Sequence, residues 1–118
     1  MEDDYEGIPI AELAIDHVDW VYRAEYIRTR SKRHPGDFDV EPEWATEAVM
    51  DLRALVRRDP ASRGGQGIRL TGLSPSANKV LTVILIPKDH PPVHAWWGVN
   101  SWAANQRDRR EYEESEEL

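Results

Sequence analysis

The sequence predicts an α+β fold, a small antiparallel sheet of three to four strands with two helices ahead of it and one after it. Three observations carry that prediction. Apolar residues in the first third recur at helical spacing. From Ala54 onward they gather into short runs bounded by Gly, Pro, Asn and Asp. The last segment returns to a charged helical pattern. A chain of 118 residues suits one domain with its own core.

Residues 1–9 are acidic and read as a disordered lead, 10–114 as the single domain, and 115–118 as an acidic tail. From Ile10 to about Arg30, the residues Leu13, Ile15, Val18, Val21, Tyr22 and Tyr26 form a helical stripe. His34-Pro35-Gly36-Asp37 breaks it. A shorter helix is expected over Pro42–Leu52. Pro42 suits its first position, Glu43 and Glu47 suit its N-terminal half, and Trp44, Ala48 and Val49 form its buried side. Trp20 and Trp44 fall on the apolar stripes and are read as core.

The period then changes. Ala54–Arg58 reads as an edge strand ended by Asp59-Pro60, and Ser62–Gly67 as a glycine-rich connection. That loop lacks the Lys-Ser/Thr of a phosphate-binding loop and precedes a strand rather than a helix. Ile68–Leu73 is a strand, Pro75–Asn78 a turn, and Lys79–Ile86 a strong central strand. The connector Pro87–Pro92 leads to a strand over about Val93–Asn100, and a last helix spans about Ala103–Glu114.

Composition narrows the function classes. There is no cysteine, which excludes disulfides, thiolate metal sites and cysteine nucleophiles. The longest apolar run, Val80–Pro87, is interrupted by Thr82 and is too short to cross a bilayer. The N-terminus is acidic rather than a basic signal region, so a cytoplasmic protein without membrane contact is expected. His90 and His94 stand four apart, but Pro91 and Pro92 between them exclude the helix that would make the spacing a zinc site. Neither a metal nor a cofactor is expected.

The net charge of −7 is unevenly placed. Residues 1–16 and 111–118 carry 11 acids and no base, so residues 17–110 keep all 15 basic residues against 11 acids, a net of +4. Acidic ends flank a basic body, whose aromatic and cationic residues suit nucleic acid: bases stack on rings and guanidinium groups hold phosphates. Chemistry on a phosphodiester needs charge stabilised at the phosphate and protons moved at its oxygens. The candidates for charge stabilisation are Arg69, Lys79, Arg107 and Arg110. Arg107 and Arg110 share a helix face. His94 and Tyr112 are the candidates for proton transfer, with Tyr112 equally suited to be a core lid. Trp96 and Trp97 must face opposite ways if they lie on a strand, so one of them meets solvent or a partner.

The order of several short motifs resembles the BrnT-type toxins of the RelE-like ribonuclease superfamily. The motifs are the corner Lys32-Arg33-His34, the helix end Ala48-Val49-Met50-Asp51 and the pair in Gly72-Leu73-Ser74. They continue with the aliphatic strand Lys79-Val80-Leu81-Thr82-Val83-Ile84 and the helix Ala104–Glu113 with its Arg107-Asp108-Arg109-Arg110-Glu111-Tyr112. The similarity covers about residues 17–114. It implies a metal-independent endoribonuclease that forms a toxin–antitoxin pair, neutralised by a cognate antitoxin of ribbon-helix-helix type, as a heterocomplex or a homodimer.

The departures are specific. Where such sequences carry arginines and a serine before the last helix, this chain has Trp97, Trp102 and Ala103 for the cations and Asn100 for the serine. The alternative is therefore a RelE-fold binding module without catalysis, which uses a surface of Trp96, Trp97, Asn100 and Trp102 to hold a protein partner or nucleic acid.

Overall fold

The computed structural model describes residues 4–5, 7–62 and 66–115. Most of the acidic tail expected over 115–118, part of the lead over 1–9 and the centre of the glycine-rich loop lie outside the described residues. The fold is α+β. In chain order the elements are β1 (Asp4–Tyr5), β2 (Ile8–Pro9), a 3-10 turn (Ile10–Glu12), β3 (His17–Asp19), α1 (Ala24–Arg28), α2 (Arg30–Arg33) and α3 (Pro42–Met50). They continue as β4 (Leu55–Arg58), β5 (Ile68–Ser74), β6 (Lys79–Pro87), β7 (Ala95–Ala103) and α4 (Gln106–Ser115). β1 and β2 pair with each other. The main sheet has five described strands in the order β3-β7-β6-β5-β4.

Three features differ from the sequence expectation. The main sheet has five described strands rather than three to four. The sheet is mixed, because β3 runs parallel to β7, pairing His17 with Ala95 and Asp19 with Trp97. The long helix expected over Ile10–Arg30 is instead a 3-10 turn, a strand and two short helices. The reason lies in the stripe itself. Val18 and Trp20 are buried while His17 is exposed and Asp19 only partly covered, an alternation of period two that a helical stripe overlooks. The pairing that fixes β3 is supplied by a strand far along the chain, so nothing local announces it.

One face of the sheet makes the core. Ile68, Leu70, Leu81, Val83, Leu85 and Trp96 are buried there with Ile27, Val40, Ala45 and Ala48 from the helical layer. Two glycines set the closeness of that packing. A Cβ at Gly72 would stand 2.0 Å from the Ala48 carbonyl oxygen, and one at Gly98 would stand 2.3 Å from the Trp20 ring. α3 is then pinned at its C-terminal half. Glu47 accepts hydrogen bonds from the Ser74 hydroxyl at 2.8 Å, the Ser76 amide at 3.0 Å and the Ser76 hydroxyl at 2.6 Å. These bonds, led by the Ser76 hydroxyl, hold the Glu47 carboxyl below its ordinary pKa. The Gly-x-Ser spacing thus has a mechanical meaning: the glycine admits the helix and the serine ties it down.

Candidate functional site: the sheet face beneath α4

Alternation along the strands defines a second face. Thr82, Ile84 and Ile86 of β6 stand opposite Trp102, Asn100 and Trp97 of β7, and opposite Thr71 and Arg69 of β5; Arg57 of β4 pairs with Arg69. A bulge between Ile84 and Leu85 lets Trp97 and Trp102 share this face although they are five residues apart. α4 lies across one end of it. The Arg69 guanidinium pairs with Asp108 of α4, Thr82 Oγ1 donates to the same carboxylate at 3.3 Å, and Arg57 pairs with Glu111 at 2.5 Å. Tyr112 is buried at the helix end and its hydroxyl donates to Asp51. Asp51 also accepts from the amides of Leu73 and Arg53 at 2.9 and 3.0 Å. Burial opposes ionisation of Asp51, yet these donors together hold its pKa below the ordinary value.

The rings of this face are surrounded by cations. The Cζ of Arg30, on α2, lies 5.4 Å from the centre of the Trp102 ring, and that of Arg69 lies 5.7 Å from it. Arg30, Gly36, Asp37, Phe38, Trp102 and Ala103 line a cleft of about 280 Å³. Arg30 is held there by Asp37, at 3.0 Å. At the other end of the face Lys88 Nζ lies 4.0 Å from the centre of Trp97 and 2.9 Å from Asp19. Tyr22 packs against Trp97 with ring centres 5.3 Å apart and the ring planes inclined at 48°. The hydrogen bond from Lys88, and then the one from the Val21 amide, hold the Asp19 carboxyl below its ordinary pKa.

The residues singled out from the sequence are distributed as follows. Arg69, Trp97, Asn100 and Trp102 share this face. Asn100 is half-buried, and its side-chain oxygen accepts from the Ser101 amide. Trp96 points into the core, fully buried, with its indole N–H donating to the Ala14 carbonyl at 2.9 Å. Lys79 has the parity of Leu81 and Val83, so it belongs to the opposite face from Arg69, and its ammonium lies 4.9 Å from the Phe38 ring. Arg107 is 84% exposed on α4 and reaches Glu111 at 3.4 Å, and Arg110 is exposed on the same helix. His94 is exposed just before β7. A strand of nine residues at about 3.3 Å each puts His94 roughly 30 Å from the start of α4. The cations and proton donors chosen from sequence therefore do not converge on one point.

Sequence reasoning missed Arg30, Tyr22, Lys88 and Asp108. Lys88 had a signal: it continues the two-residue alternation Ile84, Ile86. Arg30 had none, because only the fold brings its four-residue helix over Trp102. Among the described residues no group of His, Asp and Glu is arranged to hold a metal ion, and no helix is long and apolar enough to cross a membrane. No protein-family model matches the chain, and no curated protein matches it.

Proposed function

We propose that this chain is an RNA-directed protein of toxin–antitoxin type, with the RelE-like layout its sequence resembles, and that RNA is held on the sheet face around Trp102. The observation that carries the reading is the approach of two guanidinium groups, Arg30 and Arg69, to one half-buried indole. An indole offers a stacking surface to a base, and flanking guanidiniums offer hydrogen-bond donors to the phosphates on either side of it. Both cations are paired with carboxylates, Asp37 and Asp108, which fix them beside the indole and which an RNA phosphate would have to displace. The partner antitoxin that the resemblance implies would neutralise the protein by covering this face.

Cleavage of the bound RNA without a metal is the activity that the resemblance implies. A second reading, binding without cleavage, is favoured by one observation. Tyr112 is buried against Asp51 and His94 stands at the far end of β7, so neither proton carrier reaches Trp102. One experiment separates the two. Purified protein is incubated with RNA in the presence of a chelator, and growth is followed on induction in a bacterial host. Degraded RNA and growth arrest, both lost in the Arg30→Ala, Trp102→Ala double variant, establish the nuclease. RNA bound at the same residues but left intact, with normal growth, establishes the binding module. RNA neither bound nor cut refutes both.

A further inference from the structure

The exposed tyrosine at the far end of the same face is not explained by the cleft at Trp102. Tyr22 is 78% exposed and its neighbour Val21 is 68% exposed, so the two form an apolar surface on the turn that follows β3. The turn is nevertheless fixed. Asp19 accepts from the Val21 amide at 2.9 Å and from Lys88 Nζ at 2.9 Å. The Tyr22 ring is steadied by Trp97, whose own strand is paired on both sides, with β3 and with β6. The result is an aromatic ring presented to solvent beside a second ring, Trp97, which itself carries the Lys88 ammonium over its face.

We propose that Tyr22, beside Trp97 and its Lys88, is a second base-stacking station, and that the ligand of this face is a single-stranded RNA segment running from Trp102 to Tyr22. The proposal rests on the reading of the Trp102 cleft and names the form of RNA it takes. The spacing follows from the register. Trp102 pairs with Thr82 and Trp97 with Ile86, four residues along β6, or about 13 Å. A duplex buries its base faces inside its own stack, so two rings lying on a sheet select unpaired bases. The cations mark the line of the backbone: Arg30 and Arg69 at one end and Lys88 at the other. Between them Ile86 and Asn100 are half-buried and uncharged, a stretch on which bases rather than phosphates would rest.

The test is a length series of oligouridylates, about two to eight nucleotides long, titrated against the full chain and against its Tyr22→Ala and Trp102→Ala variants, with a hairpin duplex alongside. One stacked base is worth roughly a tenfold change in affinity. The native chain should gain about tenfold between the dinucleotide and the longer members and then level off. It should prefer them to the duplex. Tyr22→Ala, at an exposed position, should flatten that step. If Trp102→Ala weakens every oligonucleotide but Tyr22→Ala leaves the step intact, the second station is refuted while the Trp102 cleft stands. If no oligonucleotide binds at any length, both fall. If the native chain instead self-associates and Tyr22→Ala makes it monomeric, the Tyr22 patch is a protein interface and the proposal is overturned.

Discussion

Replacing Asp108 with Asn should weaken the fold and strengthen the grip on RNA at the same time. Asp108 receives the Arg69 guanidinium and the Thr82 hydroxyl, and the side chains of the ion pair are only 23% and 13% exposed. Exposed pairs contribute about 0–1 kcal/mol, whereas breaking a fully buried one costs about 3–5 kcal/mol. This largely covered pair falls between, at about 2 kcal/mol. Asparagine keeps an acceptor for Thr82 but removes the charge that opposes Arg69. The freed guanidinium can then bind a phosphate without first displacing a carboxylate. A charge-assisted hydrogen bond is worth about 1.5–3 kcal/mol, so RNA affinity at low salt should rise about tenfold or more. Chemical denaturation measures the stability and fluorescence titration with an oligouridylate measures the affinity. A loss of stability with unchanged or weaker RNA binding would refute the reasoning. Arg69 would then serve only to dock α4.

Three further outcomes follow from the same contacts. Gly72→Ala should unfold or severely loosen the protein, by about 3 kcal/mol or more, because its methyl group would stand 2.0 Å from a backbone oxygen that cannot move without α3; a melting temperature equal to the native one would show that α3 does not sit so close to β5. The Glu47 carboxyl is held below its ordinary pKa of 4.5 by three hydrogen bonds, led by Ser76, so its contribution is fully present above that pH and is lost as pH falls through the lowered value. The stability gap between the native chain and Glu47→Gln should therefore be constant near neutrality and close as the solution is acidified below pH 4.5, and a gap that widens there would contradict the sign. RNA binding should depend only moderately on salt. With Arg30, Arg69 and Lys88 as its phosphate contacts, the logarithmic slope should not exceed about 2, and a steeper one would mean that the α4 arginines carry the RNA.

Much of the sheet was legible because its signals are local. β5, β6 and α3 each combine a clear period with bounding Gly, Pro or Asn, and their observed limits follow the sequence closely. The adjacent tryptophans were legible through alternation alone: Trp96 enters the core and Trp97 the opposite face. β3 was hidden because three residues carry little periodic information and its partner lies near the other end of the chain. The site was less legible than the fold for the same reason. Arg69 and Trp102 could be named as candidates, but Arg30 joins them through tertiary packing, and the carboxylates of Asp37 and Asp108 that hold the two arginines come from different elements. The charges of α4 illustrate the limit well. Its arginines look like the functional face in sequence, whereas its carboxylates, Asp108 and Glu111, are what meet the sheet.

The central claim is that RNA lies on this face with a base against Trp102. The most direct measurement is the affinity of the native chain and of Trp102→Ala for a short unpaired oligouridylate, made at low salt with a chelator present. The native chain should bind it, and removal of the indole should weaken binding about tenfold, as the loss of one stacked base requires. Equal affinity in the two proteins, with the fold of the variant intact, would contradict the account.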